Sequence, residues 1–386
     1  MSNNKTVIER IDKAIEDIQK KNSTLFFFVV DSQNIPNGSM SYIYQLAKYL
    51  YSQDYNVKMI YQLPNEYSEE EINELKSKES EEIDESRIFH DVSGWMGEEY
   101  SGIPHINISK EEWRVAPSDF LFIPEVFSSL MFETYKHNIP CKRYVILQNF
   151  NYVTEFIPLG IQWSNYGIFD AICATELQSE RIKEVFPYIK TKVLNPYIDN
   201  CFRNGIKPKK LVVNIIAKNQ NDVHKIIKPF YWKYPIYKFI SFRDLRNFPR
   251  QEYSELLKES AITIWVDSDT QFGYSALEAM RCGNIVIGKI PEDIMEWMTN
   301  GKTLCDNAIW FNNINDVHKI LATVIGSWMR DDIPSELTQA MQETNSLYRF
   351  DKWKVNADSI INNVMQERVK ELEETKIIAK NSKEHE

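Results

Sequence analysis

The chain lacks any apolar run near the ~18 residues that a membrane span needs. Its start, Met1 to Lys21, is polar and amphipathic and has no apolar signal-peptide core. Cysteine offers no framework. Cys141, Cys173, Cys201, Cys282 and Cys305 are odd in number and widely scattered, with no CxxC pair and no zinc spacing. Free thiols in a reducing cytoplasm are the simplest account. His90, His105, His137 and His318 show no HxH or HxxxH spacing, so they read as structural or surface residues and no metal site is expected. No Ser-His-Asp arrangement and no internal repeat is visible. Positive charge is also short: the formal net charge is −10, which argues against a general polyanion binder. Residues 66–85 alone hold ten acids against two lysines, the pattern of a solvated helix or mobile loop. The remainder is close to neutral, so a nucleic-acid partner is disfavoured.

What is present suits a soluble protein of two domains: 386 residues, 43% hydrophobic and 13% aromatic. An amphipathic helix is predicted over 3–21, then a buried strand Leu25–Val30, a turn-rich loop through Gly38, a helix from about Met40 to Tyr51 and a strand Asn56–Tyr61. Strand, glycine loop, helix, strand opens a parallel doubly wound sheet. Further strands are expected at Phe120–Ile123, Tyr144–Leu147, Ile168–Ala174 and Lys192–Leu194. A polar linker, Lys207–Lys210, leads to Leu211–Ile216, a helix from about Asn221 to Tyr231, and a strand Tyr237–Ile240. A helix Pro249–Ser260, strands Ile262–Val266, Asn284–Ile287 and Ile309–Phe311, and helices over 315–329 and 335–377 complete a second such sheet. The divisions drawn are 1–203, 204–345 and a terminal helical segment, 346–386, with a frayed tail beyond Ile378.

The most informative stretch runs from Phe272 to Gly288. A turn at Gly273 enters a short helix carrying one carboxylate, Glu278. Gly283 ends the helix, and an apolar strand follows. A helix N-terminus beside Gly273, with Tyr274 and Ser275 in its first turn, suits a phosphate. Glu278, one turn further on, would reach a hydroxyl-rich group next to it. Phosphate and polyol together point to a nucleotide sugar.

Phe272, Gly273, Glu278, Ala279, Met280, Cys282, Gly283 and Val286 resemble a signature of retaining nucleotide-sugar glycosyltransferases of group 1, which have the GT-B fold. That fold is α/β: two Rossmann-like doubly wound parallel-sheet domains face a cleft, and a C-terminal helix crosses back. Leu46-Ala47-Lys48-Tyr49-Leu50, Gly38, and Ile198, Asp199 and Phe202 also match, with Tyr197 in place of a glycine. The family's first glutamate is replaced by Thr270, with Asp267 and Asp269 nearby.

The resemblance implies metal-independent transfer of a hexose, with retention, from a nucleoside-diphosphate sugar to a hydroxyl. No other cofactor and no protein nucleophile are implied. The family clamps the diphosphate with Arg and Lys; here Ala217 stands in the Arg position, which leaves Lys218 first and Lys225, or His224, second. Glu278 would hold ribose or sugar hydroxyls, and the Gly38 and Gly273 loops would supply N–H donors. Gln148, Asn149, Glu176, Arg243, Asp269 and Thr270 complete the donor candidates, with Gln148 where the family often has His. Glu125 is a further strand-end carboxylate. Trp265 reads as core or nucleoside pocket, and the segment Ser93–Tyr100 as a flexible surface loop or an aromatic acceptor site. A glycan, lipid-linked glycan, protein or modified DNA base would fit as acceptor. The expected place is the cytoplasm, free or peripheral at a membrane. The rival readings are a nucleotide-sugar binder or scaffold without catalysis, and a nucleotide-sugar epimerase of the same fold.

Overall fold

A computed structural model describes residues 2–77, 83–205, 208–267, 269–299 and 303–381. The first sheet holds β1 (Thr24–Phe28), β2 (Asn56–Tyr61), β3 (His105–Asn107), β4 (Phe120–Pro124), β5 (Lys142–Leu147), β6 (Asp170–Cys173) and β7 (Lys190–Val193). Their order is β3-β2-β1-β4-β5-β6-β7, and every pairing is parallel. The second holds β8 (Lys210–Ala217), β9 (Ser241–Asp244), β10 (Ser260–Val266), β11 (Ile285–Lys289) and β12 (Ile309–Phe311). Its order is β12-β11-β10-β8-β9, again all parallel. Strand order reverses between β1 and β4 and between β8 and β10. Crevices at such reversals, beyond the strands' carboxyl ends, are where doubly wound sheets take ligands.

The central strands read as unbroken apolar runs because helices cover both of their faces. Every residue of β4 and β10 is buried. Phe27 stacks on Phe122 at 4.6 Å across the β1–β4 seam. The last helix, Phe350–Asn381, returns to the first domain and buries Trp353, Ala357, Ile360, Ile361 and Val364 in that domain's core. Trp353 packs against Tyr49 and Tyr197 at 5.2 and 4.8 Å. Ion pairs from Glu367 to Lys192 and from Glu371 to Lys142 fix the register of this crossing.

Four elements depart from the sequence expectation, the first being the helix expected over 335–377, which is broken into Ser335–Leu347 and Phe350–Asn381. The run Tyr237–Ile240 is not a strand: Pro235–Tyr237 forms a 3-10 turn and β9 begins at Ser241. Tyr237 lies flat on Phe230 at 5.9 Å, and the Tyr231 hydroxyl donates to the Ile240 carbonyl at 2.5 Å, so these apolar residues plug the helix end before the chain pairs with β8. β3 escapes a periodicity reading because it has only three residues. The segment Ser93–Tyr100 is not a loop of exposed aromatics. It folds as two short helical turns with Trp95 and Tyr100 buried. Within the acidic stretch, Glu69–Ser77 is helical, and 78–82 lie outside the described residues, as do Lys207 of the expected linker and 382–386 of the expected tail.

Candidate active site between the two domains

The two sheets direct their carboxyl ends at a shared cleft of about 470 Å³ lined by both domains. That is within the range of small-ligand sites. The first domain contributes the Gly38 loop, Gln148 and Asn149. The second contributes Lys218, Asp269, Thr270, Phe272, Tyr274, Ser275 and Glu278.

Local geometry explains how the loop after β10 is held. The Gly273 N–H donates to Thr270 Oγ1 at 3.0 Å, and the Trp297 indole N–H donates to the Phe272 carbonyl at 2.7 Å. Gly273 has φ +77°, and a Cβ there would lie 3.0 Å from the Trp297 ring, so glycine is needed on both backbone and packing grounds. The helix Tyr274–Arg281 therefore starts abruptly and has no side-chain cap. Its first two residues and Glu278 all face the cleft. The hydroxyl of Thr270 serves as an internal loop acceptor, so the absent family glutamate is replaced by a residue that shapes the loop.

Burial pushes the Glu278 carboxyl up to about 7, opposed by the Arg250 guanidinium and reinforced by Asp199. Arg250 stands in the cleft lining, with Nη1 3.5 Å from Asp199 Oδ2 and 3.4 Å from the Tyr100 hydroxyl. Burial works against its charge, but Tyr100, Asp199 and Glu278 together outweigh it and raise its pKa. Arg250 is not among the residues that sequence motifs single out. It stands at the first position of the helix Arg250–Glu259, and its partner Tyr100 is distant in the chain, so the only signal was its place just after a second-domain strand.

The cations singled out from sequence part company. Lys218 follows β8, lines the cleft and pairs with Asp267 at 3.0 Å while remaining 66% exposed. Lys225 is one turn into the helix Gln220–Lys233, pairs with Asp222 at 3.0 Å and is not among the cleft-lining residues. His224 is exposed on that helix and also outside the lining. Arg243 lies within β9 and bonds Glu259 at 2.7 Å, outside the lining. Trp265 is fully buried and belongs to the core.

On the first-domain side, Asn37 caps the helix Gly38–Ser52 by accepting the N–H groups of Ser39 and Met40 at 2.8 and 3.3 Å. Those two donors are therefore committed within the loop. Asn149 likewise caps the helix Phe150–Phe156 and reaches the Asp269 carbonyl at 3.5 Å across the cleft. Glu125 is buried behind this loop, where its Oε1 accepts the N–H groups of Gln148 and Asn149 at 3.1 and 2.8 Å. Burial pushes its carboxyl to about 7 despite those donors. Glu176 opens the helix Glu176–Val185; it is exposed, lies outside the lining, and its N–H donates to Glu296 of the second domain.

No protein-family model and no curated protein matches this sequence. Solved structures do match over nearly the whole chain. Sucrose-phosphate synthase of Thermosynechococcus elongatus aligns with a TM-score of 0.56 at 10% identity, covering 89% of this chain and 98% of its own. The pneumococcal O-GlcNAc transferase GtfA, solved with UDP and GlcNAc, gives 0.57 at 10% identity, with 90% and 99% covered. HepE of Anabaena, solved with UDP-glucose, gives 0.56 at 10% identity, with 88% and 99% covered. The chain thus has the GT-B fold that the Phe272–Gly288 signature implied: two parallel-sheet α/β domains about a cleft and a long returning helix.

Proposed function

We propose that this protein is a glycosyltransferase that moves a hexose from a nucleoside-diphosphate sugar to a hydroxyl acceptor, with retention and without a bound metal. The observation that carries the reading is convergence. An uncapped helix N-terminus, an exposed cation and a half-buried carboxylate face one interdomain cleft. Lys218 and the amides at Tyr274 and Ser275 would meet the diphosphate, whose negative charge grows as the sugar departs. Glu278, ionised, would accept hydrogen bonds from ribose or sugar hydroxyls. Lys218 would exchange its Asp267 contact for phosphate. Similar folds solved with UDP or UDP-glucose support the donor class. Enclosure between two domains would limit water and hence donor hydrolysis.

The test is a panel of nucleotide sugars scored by thermal shift, followed by product analysis with the ligand that binds. Binding and turnover of one donor, both reduced in Lys218→Ala and Glu278→Ala, is the expected result. Binding with no hydrolysis or transfer would favour the scaffold reading, which the commitment of Thr270 to its own loop also suits. The epimerase reading fares worse, because neither Glu125 nor Glu176 lines the cleft.

A further inference from the structure

Gln271, between Thr270 and Phe272, is 3% exposed, although it lies in the loop that lines the cleft. Its carboxamide is fully engaged, and every partner but one belongs to the other domain. Oε1 accepts the Phe150 N–H at 2.6 Å, a first-turn amide of the helix that follows Gln148 and Asn149. The same oxygen accepts from Gln178 Nε2 at 3.4 Å, and Gln178 in turn donates to the Gln148 carbonyl at 2.5 Å. On the nitrogen side, Nε2 donates to Asn151 Oδ1 at 3.5 Å and to Asp293 Oδ2 at 3.0 Å.

Asp293 carries the link onward. Its carboxylate makes a two-pronged pair with Arg181 of the first domain, with one contact of 2.7 Å. Three residues beyond Asp293, Glu296 accepts the first N–H groups of the Arg181 helix, from Glu176 and, at 3.2 Å, from Leu177. The seam between the domains is thus polar and directional, and Gln271 is where it meets the loop of Thr270, Phe272 and Gly273. A buried amide with both ends satisfied across a boundary is costly to leave half-paired, so the seam is expected to close or open as a unit.

We propose that Gln271 is a positioning residue: it couples the geometry of the Thr270–Gly273 loop to closure of the two domains. This rests on the sugar-transfer reading for its consequence in turnover, while the closure itself does not. In the closed seam the loop is held against Asn149 and Phe150, so the groups facing the donor from both domains come into register together. Without Gln271, the second domain would still present Lys218 and Glu278, and nucleotide would still bind, but the first-domain half would no longer be fixed.

The experiment compares wild type with Gln271→Ala and Gln271→Glu. The glutamate variant keeps an oxygen acceptor but loses both donated bonds and sets a second carboxylate beside Asp293. Small-angle scattering of the free protein gives the radius of gyration; calorimetry with UDP gives affinity; hydrolysis or transfer with UDP-glucose gives kcat and KM. The expected result is a larger radius in both variants, UDP affinity within about threefold of wild type, and kcat lower by at least tenfold. An unchanged radius would overturn the proposal, as would UDP affinity falling as far as kcat, which would make Gln271 a ligand contact or a fold residue. Should Gln271→Ala fail to fold, Gln271→Asn is read for the same split, with a smaller loss. If wild type neither binds UDP nor turns over UDP-glucose, that result counts against UDP-glucose as donor, and the radius alone decides the proposal.

Discussion

Glu278 concentrates the chemistry of the site. Its carboxyl titrates near 7, so the fraction ionised changes across neutral pH. If the ionised form receives the donor's hydroxyls, affinity should be full above the folded midpoint and weaken as pH falls through about 7. Glu278→Gln should cost about 10- to 100-fold in donor affinity, the equivalent of a charged hydrogen bond, and remove that pH dependence. Calorimetry from pH 6 to 9 distinguishes the two proteins. Lys218→Ala removes a cation that is 66% exposed, so its effect on affinity should be smaller, about tenfold, and should shrink in high salt.

Stability carries the opposite sign at the buried carboxylates. Glu125 is raised from 4.5 to about 7, chiefly by burial. The folded state therefore holds a proton that the unfolded chain releases above 4.5, and stability falls as pH rises from there to about 7, then levels. Glu125→Gln keeps an oxygen for the Gln148 and Asn149 amides and removes the titration. Its melting temperature should gain on wild type between pH 5 and 8. A constant difference across that range would mean the buried carboxyl does not titrate there.

Among the elements, the helix Tyr274–Arg281 and strand β11 are joined by Gly283, whose φ is +79°. A Cβ there would meet the Asn204 side chain at 2.6 Å, so Gly283→Ala should cost about 1–2 kcal/mol from the left-handed backbone, with more from the displaced Asn204. Trp353→Ala should cost about 3–5 kcal/mol, because a 5%-exposed indole leaves a cavity between the returning helix and the first domain. Urea unfolding measures both. A Trp353 effect under 1 kcal/mol would show that the helix is not integral to that core.

These elements also show what the sequence could convey. β10 and β11 were readable because doubly covered strands are continuous apolar runs between turn signals. The Gly273 helix was readable because its glycines do local backbone work. Tyr237–Ile240 misled because an aromatic plug has the same composition as a strand. β3 is too short to show a period. Of the candidate site, Lys218 and Glu278 sit beside recognisable turns, and the cleft gathers them. Arg250 and Gln271 were invisible because their meaning lies in partners such as Tyr100 and Phe150, more than a hundred positions away and in the other domain.

For the whole molecule, two switch-point crevices face each other, and neither alone holds all the groups assigned to the donor. The reversal at β8/β10 supplies cation, amides and carboxylate. The reversal at β1/β4 supplies the Gly38 loop, and the neighbouring β5 end supplies Gln148 and Asn149. On the proposed function, catalysis is expected to need both domains and nucleotide binding mainly the second. The most direct measurement is nucleotide release from a panel of nucleoside-diphosphate sugars by wild type and Glu278→Gln. Wild type should turn over one donor, and the variant should be slower by at least tenfold at pH 8. Equal release by the two proteins, or no binding of any nucleotide sugar by wild type, would contradict that expectation.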